Sequence, residues 1–330
     1  MAGPVESVDS SAMPWSRLWA TGVLHSCATG IHGNYDGEVL AFWQGQFDLA
    51  GDGARILDVG TGNGALLLLA RERATRRGIG LTLLGVDIAD IEPGRAVAGG
   101  ADRFAGIEFH PRTSVCALPF ADGEIDLVCS QFGFEYAPRD AAIREIARVA
   151  GGTSQLALVL HRSDSIIARV SAPQREGLRF LASECPIVPL ARRMVPVLFE
   201  AARGRQQGRG HADPGHEAVR QSFNRAASAL MDGIERLPQA QVLRNTAQQV
   251  RRALELAYTS PAQADAMLAR VGEGLLDEEA RLEQLERAML SADGMRELSG
   301  QLSGIGYTVQ WSPLEQKGER FAWALEATRG

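Results

Sequence analysis

The run Asp58-Val59-Gly60-Thr61-Gly62-Asn63-Gly64 follows a largely apolar stretch, Ala54 to Leu57. It reads as a buried strand that ends in bare backbone. Glycine at alternate positions permits positive φ and lets the main chain approach a ligand with no Cβ in the way. The residues that follow, Ala65 to Arg73, read as a helix whose free N–H groups point back at the turn. Such a turn binds a polar ligand mainly through backbone. Gly60, Gly62 and Ala65 formally match the dinucleotide fingerprint G-x-G-x-x-G/A. A different class of ligand is indicated by an acid two residues before the first glycine and a third glycine at alternate spacing, which Asp58 and Gly64 supply.

With those two residues the run resembles the first motif of the class I S-adenosylmethionine-dependent methyltransferases, acid-x-Gly-x-Gly-x-Gly. The resemblance implies S-adenosylmethionine as cofactor, with Asp58 and the Gly60 carbonyl accepting from its ammonium and Thr61, Gly62 and Asn63 completing the turn around it. A second apolar run, Leu81 to Val86, ends at Asp87, where an acid can accept from both ribose hydroxyls, and Ile88 would lie against adenine. Ser114 to Asp122, followed by Ile125-Asp126-Leu127-Val128, is similar to the family block Asp-Ala-x-x-Leu-Pro-Phe-x-Asp and Phe-Asp-x-Val. Ser114 stands where the family usually carries the acid for the adenine amino group, so its hydrogen bond lacks charge assistance and Val115 would contribute its N–H. Ser130 and Gln131, ending the fourth strand, complete the cofactor set, as does Tyr35, where similar enzymes place an aromatic near the cofactor carboxylate. A surface turn is the competing place for Tyr35. Asp126 reads as a structural residue at a strand start.

Methyl transfer needs alignment of an acceptor and, for many nucleophiles, removal of a proton. His161, ending the fifth strand, is the candidate general base, with Glu135 and Tyr136 behind it. A structural role for a lone strand-end histidine competes with that assignment. No Asn-Pro-Pro-Tyr or Asp-Pro-Pro-Tyr run follows the fourth strand, which argues against methylation of base amines, and no His, Asp or Glu set has metal-ligand spacing.

These residues need a scaffold, and the alternation of elements supplies an α/β one. Strands at about 54–59, 81–87, 106–111, 125–130 and 155–161 alternate with helices, as in a parallel sheet. A terminal pair, 306–311 and 320–327, is joined by a turn from Pro313 to Gly318. The resemblance therefore implies a doubly wound seven-stranded sheet whose last strand is antiparallel. Residues 1–13 read as disordered, 14–50 as an N-terminal helical cap, and 51–161 with 295–330 as the Rossmann-like domain. Residues 162–294 read as a large helical insertion after strand five, broken at Pro214, Pro238, Pro261 and Gly272 to Gly274. A lid over the acceptor is one reading of it, and a homodimer bundle is the other.

Composition bounds the partners. A net charge of -6 disfavours general nucleic-acid binding. One basic stretch, Arg192, Arg193, Arg203, Arg205 and Arg209, reads first as a solvated loop and second as an anion or RNA contact, in a chain whose only lysine is Lys317. Cys27, Cys116, Cys129 and Cys185 form no C-x-x-C pair and read as reduced thiols. No charged segment followed by an apolar one opens the chain, and no long apolar run occurs, so a cytoplasmic protein without membrane contact is expected. The expected partner is a small-molecule acceptor. An RNA or protein methyltransferase, or a non-catalytic cofactor-binding scaffold, are the alternatives.

Overall fold

Strict alternation of side chains along a strand sends Ile56 to one face of a sheet and Leu57 to the other, and both are fully buried. A strand apolar on both faces must be central, covered by helices above and below. The computed structural model, which describes residues 10–26, 33–206 and 214–329, shows that arrangement. Helices α1 (Met13–Ala20) and α2 (Gly37–Asp48) precede β1 (Arg55–Val59) and α3 (Ala65–Arg77). Then come β2 (Thr82–Val86), the short α4 (Pro93–Ala96) and α5 (Gly100–Arg103), β3 (Ile107–His110) and β4 (Ile125–Gln131). Helix α6 (Arg139–Val149) leads into β5 (Ala150–His161). Five helices follow: α7 (Ile166–Ser183), α8 (Ile187–Gln206), α9 (Pro214–Arg236), α10 (Gln241–Ala257) and α11 (Pro261–Ala288). The chain closes with α12 (Ala292–Gly304), β6 (Tyr307–Gln316) and β7 (Glu319–Arg329).

The seven strands form one sheet in the order β3-β2-β1-β4-β5-β7-β6. Strands β1 to β5 pair in parallel, and β7 runs antiparallel to both β5 and β6. The order reverses between β1 and β4, so their carboxyl ends frame the crevice in which open α/β sheets bind ligands. On one face Leu57, Val59, Leu84, Val128 and Leu158 pack with Ile143 and Ile146 of α6 and Met295, Leu298 and Leu302 of α12. On the other, Ile56, Leu83, Leu127 and Val159 pack with Trp43 and Phe47 of α2 and Leu66, Leu67 and Leu69 of α3. Truncating one of these side chains to alanine costs about 2–5 kcal/mol.

Several boundaries differ from the sequence reading. Residues 10–13, expected to be disordered, are helical: Ser10–Ala12 form a 3-10 turn and Met13 opens α1. Strand β5 begins at Ala150 rather than 155. The final turn shrinks to Lys317–Gly318, both at positive φ, as a two-residue hairpin requires. Pro313 lies inside β6, opposite Trp323, and β6 is the sheet edge, where a missing N–H costs no ladder bond. In the helical region Pro214 and Pro261 open helices α9 and α11, as the breaks predict, but Gly272 to Gly274 lie uninterrupted within α11. A helical glycine costs only about 1 kcal/mol, which packing offsets.

By compactness the chain divides into two units, one comprising residues up to 168 together with those from 283 onward, the other 169–282. The second has its own apolar core, including Phe180, Ile187, Leu230, Leu243, Val250 and Leu268.

Candidate active site

The glycine turn behaves as its spacing demands. Gly60, Gly62 and Gly64 have φ of 68°, 52° and 77°, a region other residues enter only with strain. Space is as restrictive as conformation. A Cβ on Gly60 would stand 2.7 Å from the Cα of Gly133, just beyond the end of β4, and one on Gly62 would stand 2.6 Å from the Trp19 ring. Two backbones thus cross at the switch point, and α1 covers the turn.

Beside this crossing lies a cavity of about 210 Å³. Of the cofactor residues expected from sequence, Tyr35, Asp58, Gly60, Thr61, Asp87, Ile88, Ser114, Val115 and Gln131 line it. Gly62, Asn63 and Ser130 do not; they build the wall from behind. The Gly62 N–H donates to Asp87 Oδ2 at 2.8 Å. Asn63 is fully buried and its Nδ2 donates to the carbonyls of Trp19 and Val23, tying the N-terminal segment over the turn. The Ser130 hydroxyl donates to the Val59 carbonyl at 2.6 Å and accepts from the Phe134 N–H at 2.9 Å, which clamps the crossing of β1 and β4.

The electrostatics favour a cationic, hydroxyl-bearing guest. Asp58 and Asp87 are both buried, and among the described residues neither has a cationic partner. Burial, then the charge of Asp87, pushes the Asp58 carboxyl up to about 8 against the pull of the Thr61 hydroxyl, which donates to its Oδ2 at 2.7 Å. Burial raises Asp87 to about 6, opposed by the N–H groups of Ala89 and Gly62. A buried carboxyl without a cation is an energetic cost that a bound ammonium removes. Ile88, 42% exposed, and Val115 give the same cavity an apolar flank suited to a flat base. The Ser114 hydroxyl lines the cavity but also accepts from the Cys116 N–H at 3.2 Å, so part of its capacity holds its own loop. Asp126 accepts from the Arg55 N–H at 2.8 Å, a structural tie between β4 and β1.

The acceptor side departs from expectation. Tyr136 lines the cavity, but His161 and Glu135 do not. They form a buried pair: Glu135 Oε1 lies 2.8 Å from His161 Nδ1 and accepts from its backbone N–H at 2.7 Å. Phe132, which does line the cavity, stacks on the His161 ring at 4.0 Å. Phe132 holds φ at 59°, a strained conformation for an aromatic residue and one associated with functional sites. The expected base is therefore one layer behind the wall, supporting the residue that faces the cavity. Sequence reasoning missed Phe132 and also Trp15, Trp19, His25 and Gln284. Trp15 and Trp19 lie in the stretch 14–50, whose sequence marks it only as a helical cap, and nothing local in the sequence marks a positive φ at Phe132.

Gln131 is oriented from outside. Its Oε1 accepts from Trp43 Nε1 at 2.5 Å, and among the described residues its buried Nε2 has no partner, so a donor is left at the cavity. Among the described residues no group of three or more His, Cys, Asp or Glu could hold a metal ion. No described helix is long and apolar enough to cross a membrane. In the arginine-rich stretch Arg192 is paired with Asp265 through two bonds of 2.7 and 2.9 Å, and Arg209 lies outside the described residues.

Residues 56–151, which hold the carboxyl ends of β1 to β4 and the glycine turn, match the family described as "Methyltransferase domain". This part of the chain is thus similar to a methyltransferase domain. The demethylmenaquinone methyltransferase of Thermus thermophilus is 36% identical over 107 residues, 32% of this chain and 46% of that protein. An uncharacterized protein of Mycobacterium tuberculosis is 28% identical over 137 residues, 41% of this chain and 47% of its own. The chain thus spans about half the length of the curated relatives it matches. Among solved structures, an S-adenosylmethionine-dependent methyltransferase of Aquifex aeolicus aligns with a TM-score of 0.30 and 21% identity, over 36% of this chain and 62% of that chain. Asp58 and Asp87 could hold an ammonium and a pair of hydroxyls, and the Ile88–Val115 flank a flat base.

Proposed function

We propose that the protein transfers a methyl group from S-adenosylmethionine to a small-molecule acceptor. The cofactor, when bound, supplies an electrophilic methyl on sulfur; the chain supplies position, desolvation and orientation. The observation that carries the reading is the pair of buried carboxyls, Asp58 and Asp87, on the wall of a cavity beside a glycine crossing. Asp58 and the Gly60 carbonyl would hold the ammonium, Asp87 the ribose hydroxyls, and Ser114 and Val115 the adenine edge. Trp15, Phe132 and Tyr136 offer the acceptor an aromatic wall, which suits a flat, ring-bearing molecule. The relative named for demethylmenaquinone supports the same class. Among the described residues of that aromatic wall none carries a carboxyl or an imidazole.

The Arg192–Asp265 pair removes one arginine from an RNA-binding face and disfavours the nucleic-acid alternative.

Titration calorimetry with S-adenosylmethionine, S-adenosylhomocysteine and NAD, followed by mass-shift screening of metabolite extracts, tests the proposal. Binding of the first two and not the third is expected, with a gain of one methyl on a small molecule. Asp87→Ala should weaken S-adenosylhomocysteine by about 1.5–3 kcal/mol, the scale of charge-assisted bonds to ribose. Binding of NAD alone, or unchanged affinity in a folded Asp87→Ala variant, would sink the assignment.

A further inference from the structure

An α-ammonium carries three N–H donors, and in a site closed to water each needs an acceptor. The proposed reading provides two, the Asp58 carboxylate and the Gly60 carbonyl. One oxygen of Asp58 is already shared with the Thr61 hydroxyl. A third acceptor is needed, and a third carboxylate would be the wrong kind. Asp87 already raises Asp58 by like-charge repulsion, so another negative group would push both further toward the neutral acid. The suitable group is a neutral lone pair.

His25 has that property. It is 8% exposed and lines the same cavity as Asp58 and Gly60. Its Nε2 lies 3.2 Å from the Gly33 carbonyl. A carbonyl only accepts, so the ring proton belongs on Nε2 and Nδ1 keeps its lone pair. Among the described residues Nδ1 is buried and has no hydrogen-bond partner. Burial, with a smaller contribution from the charge of Arg103, lowers the ring to about 4 against the opposing Gly33 bond, which keeps it neutral at neutral pH.

The ring is also held in place. Tyr35 packs on it with centroids 4.1 Å apart. The Tyr35 N–H donates to Asn34 Oδ1 at 2.8 Å, and Asn34 Nδ2 donates at 2.9 Å to the carbonyl of Ala65, the first residue of α3. The His25–Tyr35 pair is therefore anchored to the end of the glycine turn that presents Gly60. Ser114, Val115 and Ile88, the adenine flank, belong to the loops after β3 and β2 instead. We propose that His25 Nδ1 is a cofactor-recognition group, the third acceptor for the ammonium of S-adenosylmethionine beside Asp58 and the Gly60 carbonyl. This rests on the methyltransferase reading above.

Calorimetry on the full chain separates the two claims. Three probes are needed: S-adenosylhomocysteine, its decarboxylated analogue, which keeps the amine, and 5′-methylthioadenosine, which lacks the whole amino-acid end. His25→Phe keeps a ring on Tyr35 and removes the acceptor; His25→Asn returns an oxygen near the place of Nδ1. The expected loss in His25→Phe is about tenfold to a hundredfold for both amine-bearing probes. Affinity for 5′-methylthioadenosine should stay within about twofold, and His25→Asn should regain most of the loss. Equal losses for all three probes would make His25 a packing residue and overturn the proposal. So would retained affinity in His25→Phe, loss confined to the carboxylate-bearing probe, or no recovery in His25→Asn. A wild-type chain that binds none of the three would refute the methyltransferase reading itself, and this inference with it.

Discussion

The carboxyl ends of β1 and β2 and those of β4 and β5 face one crevice but are built on different principles. At β1 and β2 the cavity is walled by backbone and two carboxyls, with glycine at the points where a Cβ would collide. At β4 and β5 the wall is an aromatic face, Phe132, backed by a buried Glu135–His161 pair that does not reach the cavity. The first end recognises through groups that any strand-turn-helix presents. The second recognises through whichever side chain happens to stand in front, and that depends on the path of neighbouring segments. Polar residues near a crevice are thus not equivalent: Asp58 and Asp87 are held toward it, whereas His161 and Glu135 are held toward each other.

The sharpest way to break this contrast is at Gly60. A methyl group there adds strain at φ 68° and meets the Gly133 backbone at 2.7 Å, with no flexible side chain to yield. Gly60→Ala should cost about 2–5 kcal/mol of stability and abolish measurable cofactor binding. Chemical denaturation and calorimetry read the two effects; a variant with wild-type stability and affinity would mean that the crossing is looser than it stands.

His161→Ala probes the other end. If the pair only supports Phe132, removing the imidazole strands a buried carboxyl and should cost about 3 kcal/mol of stability. S-Adenosylhomocysteine affinity should stay within about threefold, since His161 is not on the wall. The opposite pattern, intact stability with lost turnover on an identified acceptor, would return His161 to the role of base that its strand-end position suggested.

How far the two ends were legible in sequence follows from the same difference. The glycine spacing, the acid at 58 and the acid at 87 are local constraints, readable because φ and strand register are set by adjacent residues. The strand order and the antiparallel β7 came with the family resemblance rather than from periodicity. The pairing of Glu135 with His161 across 26 residues is a tertiary fact, and so is the return of α1 over Gly62. The glycines inside α11 misled because intrinsic cost is small beside packing, and Pro313 misled because an edge strand tolerates what a central one rejects.

The carboxyl end also predicts a pH signature. Asp58 titrates near 8 when folded and near its ordinary 3.8 when unfolded, so its contribution is complete below about 4 and lost as pH rises through 8. Asp87 is lost earlier, by about 6. His25 has the opposite sign: its contribution is complete above its ordinary 6.5 and lost as pH falls through about 4. Between about 6.5 and 8, then, Asp58 dominates this set, and the ligand-free protein should lose about 2 kcal/mol. In the proposed reading an ionised Asp58 meets the ammonium, so at pH 7 S-adenosylmethionine binding should release up to about one proton. Calorimetry in buffers of different ionisation enthalpy measures that number, and proton uptake would contradict the ammonium–Asp58 pairing.

The mildest change sharpens the comparison at its weakest point, the adenine edge. Ser114 uses its hydroxyl partly to accept from the Cys116 N–H at 3.2 Å. An aspartate there can cap the same N–H with one oxygen and offer the other to the adenine amino group, so the loop need not move. Two terms oppose the gain: a third carboxyl close to Asp87, whose backbone carbonyl accepts from Thr113, and the desolvation of the new charge. The net expectation for Ser114→Asp is a tightening of 5′-methylthioadenosine and S-adenosylhomocysteine alike by up to about 1 kcal/mol. Equal gains on both probes are the signature, because the adenine edge is common to them. A gain on the amine-bearing probe alone would mean that the new charge acts through the Asp58–Asp87 field, and weaker binding of both would show that this loop holds adenine by backbone and shape, with no room for an acid.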